Sequence, residues 1–477
     1  MFSCPCGTKC RDSRADSLAL KGTGPGRNQN LMQSEQQLQT NLQQPNLNDR
    51  RSFLKLLAAA PLFASLGARS FASAVAATAN PGSGESFSNN IYTRLGVRPV
   101  INCVGTWTYL TASLELPEVR AACEAASHYF VDLFDLQAAA GRRLAELSGA
   151  ESGMITSGSA GAISAGTAAC IAGSDPKKIY QLPDTTGMKG EVAFLGPRTP
   201  WDSCIRLAGA KLVVAPTVND LPAALTSQTA MVYTTWGDEE RLQPILKIAK
   251  AAGVPVFLDQ AGHIPPYSNL TTLAKTGVDL FCISGGKGLR GPQVSGLLLG
   301  RKDLIDAARY NCSPWEGSIC RPMKVGKEEI MGVLAALAYW SKPQAAIIEG
   351  TWQRQMERIA KLVSTVPGVQ TEILTPPSEK GNSYPTLTIA WDEKKFGLTA
   401  NQCGKKLRDG NPRIDVWTGF NFSGVLARED LDKIYDSNVS GPNQLQIFSV
   451  TMQPGQDLIV GNRIRQELEK ARKQALA

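Results

Sequence analysis

The sequence predicts an α/β chain with a mostly parallel sheet and helices on both faces. Three observations carry this. Short apolar runs recur between about residues 90 and 340, among them VVAP (213–216), MVYTT (231–235), VPVFLD (254–259) and DLFCIS (279–284). PILKIAKAAG (244–253), amphipathic with a glycine stop, lies between two of them as a crossover helix does. The run VFLD is apolar and closes on one acid, the pattern of a buried parallel strand before a functional loop.

The elements follow in chain order. Residues 1–79 read as a leader rather than fold. NDRRSFLKLLAAAPLFASLGARSFASA places Arg50–Arg51 ahead of an apolar stretch from Leu56 to Leu66. This resembles a twin-arginine export signal. The stretch is too short for a membrane-spanning helix, which needs about 20 residues. Small residues around Ala72–Ala77 offer several cleavage sites, and the expected location is periplasmic or secreted. The residues before it, MFSCPCGTKC and a Gln/Asn-rich tract, have too few apolar side chains to fold. Met32 is an alternative start.

An N-terminal segment (80–115) precedes the large domain (116–342). A long helix over 117–147, broken or whole, carries His128. TSGSAGAISAGTAACIAG, from Thr156, reads as a small-residue turn entering an Ala-rich helix. SGLLLG supplies a further strand of undetermined direction. A small α+β domain follows (343–477). In it WQRQMERIAKLVSTV reads as a helix, and PTLTIAWDE (385–393), RIDVWTG (413–419) and LQIFSVTM (445–452) as strands. GNRIRQELEKARKQALA closes the chain as a helix.

The net charge of +8 is misleading. Residues 1–79 hold nine Lys and Arg against four Asp and Glu, so the rest carries only +3. The body lacks the bulk basic character of a nucleic-acid binder. The eight cysteines outside the leader show no metal-type spacing, and no metal is expected. Cys170 and Cys282 read as buried small hydrophobes.

The chemistry lies in two runs. VPVFLDQAGH ends its apolar part at Asp259, and FCISGGKGLRGPQ carries Lys287 among glycines, 28 residues on. A lysine that condenses with an aldehyde and a carboxylate that keeps a pyridine nitrogen protonated are what pyridoxal 5'-phosphate requires. The turn at Ser157 suits the phosphate. Its glycine lets backbone N–H groups approach, and the following helix presents its positive end.

RLGVRPVINCVGTWTYL, EAASHYFVDLFDLQAAAGRRLAELSGAESGMITSGSAGA, SGGKGLRGPQ and RPMKVGKEEIMGVLAAL together resemble one branch of the fold-type-I pyridoxal phosphate enzymes. That branch holds bacterial selenocysteine synthase and the glucosaminate-6-phosphate ammonia lyases. The resemblance covers roughly residues 90–477. It implies a large domain with a mostly parallel sheet and a small C-terminal domain. It implies Lys287 as the lysine that carries the cofactor and Asp259 as the partner of its ring nitrogen. Ser157, Gly158 and Ser159 would bind the phosphate, with Ser284 a further contact. It implies a homodimer or larger homo-oligomer, each site completed by a neighbouring subunit.

The chain departs from the pattern at FLGPRTPWDSCIRLAG, where Trp201 stands in place of the usual residues. Trp201 is a candidate for stacking on the cofactor ring, against the alternative of a core or interface tryptophan. His263 is a candidate second acid/base group; His128 reads as packed. Arg321 and Arg290 are candidates for a substrate carboxylate or phosphate, because arginine offers a two-pronged fork. The expected reaction is α,β-elimination with ammonia release from an amino acid or amino sugar acid. Alternatives are a selenium transferase acting on seryl-tRNA, an aminotransferase, and an exported non-catalytic binding protein.

Overall fold

The computed structural model describes residues 87, 89–343, 345–376, 382–419 and 443–477. The leader, with its arginine pair and cysteine cluster, lies outside the described residues. The first strand, β1 (Val100–Cys103), stands apart from the large sheet. That sheet is built from β2 (Ser152–Ser157), β3 (Glu191–Leu195), β4 (Lys211–Ala215), β5 (Thr229–Thr234), β6 (Val256–Asp259), β7 (Leu280–Ser284) and β8 (Ser295–Gly300), in the order β2-β8-β7-β6-β5-β3-β4. The five strands from β7 to β4 are parallel; β8 runs antiparallel to both of its neighbours. The direction left open for SGLLLG is thereby settled.

The reason for continuous apolar runs is visible in burial. β5 and β8 are buried at every residue, as strands covered on both faces must be. Small residues bring the helix Gly158–Ala172 down onto the sheet, and it is buried almost throughout. A Cβ on its Gly166 would come to 2.5 Å from the Phe257 ring, so only glycine allows this approach.

The helix expected over 117–147 is two, α1 (Pro117–Ser127) and α2 (Leu133–Ser148). Asp132 starts the second by accepting N–H bonds from Phe134 at 2.8 Å and Asp135 at 3.2 Å. His128 ends the first. Its ring is exposed, 3.4 Å from Glu124, rather than packed as expected, because the chain has left the helix face there.

The C-terminal strands β9 (Val369–Leu374), β10 (Thr386–Trp391) and β12 (Gln444–Phe448) form an antiparallel sheet in the order β12-β10-β9. β11 (Arg413–Val416) is not one of its strands. It pairs in parallel with β1, Val100 opposite Arg413. Ile101 and Cys103 consequently lie in one apolar cluster with Ile414, Val416, Leu387 and Ile389. The N-terminal segment thus contributes core to the C-terminal layer. Among the described residues no helix is long and apolar enough to cross a membrane.

Candidate active site

The C-terminal ends of β3, β5, β6 and β7 are neighbours in the sheet, where open α/β sheets present their ligand sites. Asp259 is the last residue of β6, paired across to Cys282 of β7. Its Oδ2 accepts the Tyr233 hydroxyl at 2.7 Å. Its Oδ1 accepts the Ala261 N–H at 3.1 Å and the Cys282 thiol at 3.4 Å. Burial, and then the Asp259 charge, push the Tyr233 hydroxyl well above its ordinary range, so it stays a donor. The same two causes push up Cys282, while Lys287 acts on it in the opposite sense. The thiol therefore lies in the fields of both Asp259 and Lys287.

Lys287 follows β7 on a loop with no room for side chains on its glycines. A Cβ on Gly288 would collide with the Ile264 carbonyl, and one on Gly286 would come within 2.6 Å of the Gln293 backbone. The loop is tied from several sides. Ser113 Oγ donates to the carbonyls of Gly286 and Lys287, each at 2.8 Å. Gly285 N–H donates to Ser295 at 2.8 Å, and Arg290 N–H to Lys287 at 2.9 Å. The Lys287 ammonium donates no hydrogen bond to a described residue. It lies 5.9 Å from the centre of the Trp201 ring.

Trp201 follows β3 and opens the short helix Asp202–Leu207. It is 44% exposed. Arg198 and Arg206 both clasp the buried Asp202 carboxylate, which anchors this turn.

Ser157 ends β2, and Gly158 begins the helix with φ 70°. The Ser157 hydroxyl makes no capping bond to the helix, so the first-turn N–H groups and this hydroxyl are not spent on one another. Strand β8 presses directly beneath: a Cβ on Gly296 would strike the Gly158 backbone. Ser284, half-buried, closes β7 beside this edge.

The other candidates are placed elsewhere. Arg290, at φ 55°, donates Nε to the Leu114 carbonyl at 2.9 Å. Arg321 directs Nε and Nη2 onto one oxygen of Glu316, each at 3.0 Å. Neither guanidinium bonds to the Lys287 or Asp259 side chain. His263 is half-buried in the loop after Asp259, its backbone held by Gln260 and Asn269. Among the described residues no cluster is placed to hold a metal ion.

Three contributors went unread in the sequence. Tyr233 carried a signal, a polar tip inside a fully apolar strand. Cys282 was taken as packing alone. Ser113 gave no local sign.

These residues fit the three ends of pyridoxal phosphate. A lysine with unspent hydrogens would suit the aldehyde, a donor-fixed carboxylate the ring nitrogen, and an uncapped helix start the phosphate. Thr199 Oγ1, two residues before Trp201, and Gln260 Oε1, next to Asp259, are buried without a partner among the described residues. They are polar groups awaiting one at this rim.

No family model matches the chain. It is 31% identical over 345 residues to the 5'-C-glycyluridine monooxygenase-decarboxylase of a Streptomyces species, covering 68% of this chain and 83% of that one. It is 28% identical over 341 residues to the D-glucosaminate-6-phosphate ammonia lyase of Salmonella typhimurium, covering 68% and 88%. A solved D-glucosaminate-6-phosphate ammonia-lyase superposes with a TM-score of 0.64 at 25% identity, covering 80% of this chain and 99% of that one. An L-seryl-tRNA(Sec) selenium transferase of Aquifex aeolicus is 22% identical over 310 residues, covering 57% and 65%.

Proposed function

The chain belongs to the pyridoxal phosphate enzyme family that includes these relatives, and from that premise we propose that it is a lyase eliminating ammonia from an amino acid or amino sugar acid. The observation that carries the reading is the pairing of β6 with β7, which sets Asp259 and the Lys287 loop side by side at the C-terminal ends of two neighbouring inner strands. When bound, pyridoxal phosphate draws electrons from the substrate's α-carbon.

Lys287 would hold the cofactor aldehyde, and its amine would be the base placed to take the proton from the substrate's α-carbon. Asp259 keeps a proton on the ring nitrogen, with Tyr233, Cys282 and Ala261 fixing the carboxylate. Ser157 and the N–H groups of Gly158 and Ser159 bind the phosphate at the positive end of their helix, with Ser284 beside them. Trp201 stands over Lys287 and limits water at the reacting carbon. Arg290 braces the lysine loop through Leu114.

A second reading, oxidative decarboxylation of an amino acid, is favoured by the 31% identity with the monooxygenase-decarboxylase. Measuring ammonia against carbon dioxide and oxygen uptake across amino and sugar acids separates the two. Transfer to seryl-tRNA predicts tight, salt-sensitive retardation of that tRNA, which the near-neutral body does not lead us to expect.

The subunits pair through the exposed run Tyr129, Phe130, Val131 and Phe134, continued by Trp315, whose ring meets Phe134 at 5.1 Å. Phe130→Asp is expected to halve the mass measured by light scattering. Export by the twin-arginine route is the location this reading takes, from the leader. The test of the function is an absorbance spectrum before and after borohydride. A band removed by the reagent, with the label mapped to Lys287, supports it; absence of a band with added pyridoxal phosphate overturns it.

A further inference from the structure

The donors to Asp259 divide unequally between its two oxygens. Oδ1 accepts two, from Ala261 and Cys282; Oδ2 accepts one, from Tyr233 at 2.7 Å. A carboxylate has about four acceptor positions. The position left open is therefore on Oδ2, next to the tyrosine hydroxyl. That hydroxyl cannot swing away. Tyr233 is fully buried, stacked against Phe194 at 5.1 Å and Phe257 at 6.0 Å between ring centres. Its two ring neighbours come from the flanking strands β3 and β6, so the sheet itself fixes the direction of the O–H.

We propose that Tyr233 is a positioning residue: it aims Oδ2 of Asp259 at the ring cation of the bound cofactor and shares that oxygen with it. The inference rests on the pyridoxal phosphate reading. Cys282 meets the other oxygen, and a thiol is a weak donor, so the two residues differ in kind as well as in place. The titratable groups facing the carboxylate are Tyr233, Cys282 and Cys204, with Lys287 acting on Cys282. Both cysteines are held as neutral thiols by burial, which leaves Tyr233 as the strong donor of the set.

The experiment titrates pyridoxal phosphate into full-length apo-protein by tryptophan fluorescence, for wild type, Tyr233→Phe and Cys282→Ala. It then follows the borohydride-sensitive band against pH. Tyr233→Phe, which removes only an oxygen, is expected to weaken binding about tenfold and to move the pH titration of the band. Cys282→Ala is expected to weaken binding less. Tyr233→Phe binding and titrating as wild type does, or Cys282→Ala having the larger effect, overturns the inference while leaving the cofactor reading intact. Wild type failing to bind overturns both. Should Tyr233→Phe not fold, 3-fluorotyrosine incorporation supplies the second test. A more acidic hydroxyl donates more strongly and is expected to shift the band's titration in full-length protein; an unshifted titration overturns the inference.

Discussion

The loop after β7 and the loop after β3 both deliver a side chain to the same place, but they are held differently. The first carries Lys287 on glycines pressed against Ile264 and Gln293 and tied by Ser113. The second carries Trp201 on a turn whose anchor is Asp202 between two arginines, with the ring left 44% exposed. The difference teaches where constraint is placed. The Lys287 loop is fixed by backbone bonds and close packing. The group at the mouth is fixed by one surface-facing cluster, and it is also where the sequence departs from its relatives' pattern. On the proposed function, chemistry would fall to the packed loop and selectivity to the open one.

The sharpest test of that contrast is Lys287→Ala. It is expected to abolish the borohydride-sensitive band and to lower turnover by about 10³ or more, read by ammonia release. Next is Gly288→Ala, which adds one methyl group to the residue after Lys287. Its collision with the Ile264 carbonyl is expected to cost about 2 kcal/mol in urea unfolding and to reduce bound cofactor. An unaltered urea midpoint would break the claim that this loop is rigid.

Trp201→Ala is expected to do less to cofactor content and more to selection. Loss of a half-exposed ring beside a cation corresponds to roughly a two- to fivefold change in binding. It is expected to show as a change in KM between substrates rather than as loss of the band. A Trp201→Ala protein that no longer holds cofactor would erase the distinction between the loops.

The smallest effect concerns pH. Burial pushes the Cys312 thiol up to about 11 and those of Cys170 and Cys403 up to about 12, against 9.0 for an ordinary thiol. Above pH 9 the unfolded chain sheds protons that the folded chain keeps, so stability falls as pH rises. The loss begins near pH 9 and grows through 11–12. Urea midpoints from pH 8 to 10.5 check the sign.

What the sequence made legible follows the same division. β5, β6, β7 and β8 are continuous apolar runs because both their faces are buried, and such runs stand out from their surroundings. β9 alternates half-buried and exposed residues at a sheet edge, and β1 is only four residues long; neither has a local signature strong enough to read. The positions of Asp259 and Lys287 were legible because one closes and the other follows a continuous apolar run. The direction of an arginine fork was not. Arg290 and Arg321 have the right type, but Leu114 and Glu316 determine where each fork goes. Nor does a sequence state that RIDV will leave the C-terminal sheet to join β1, since that pairing rests on contacts more than 300 residues apart.

That pairing has a consequence for the order of folding. β1 is among the first parts of the body to leave the ribosome, yet Arg413 to Val416, its strand partner among the described residues, come more than 300 residues later. Until they are made, Ile101 and Cys103 lack both their paired strand and the Ile414 and Val416 side chains of their cluster. Local helices and the central sheet can form during synthesis, but the beginning of the body stays open until nearly the whole chain exists. Completion of the polypeptide, rather than emergence of any one segment, sets the moment at which this end of the molecule closes.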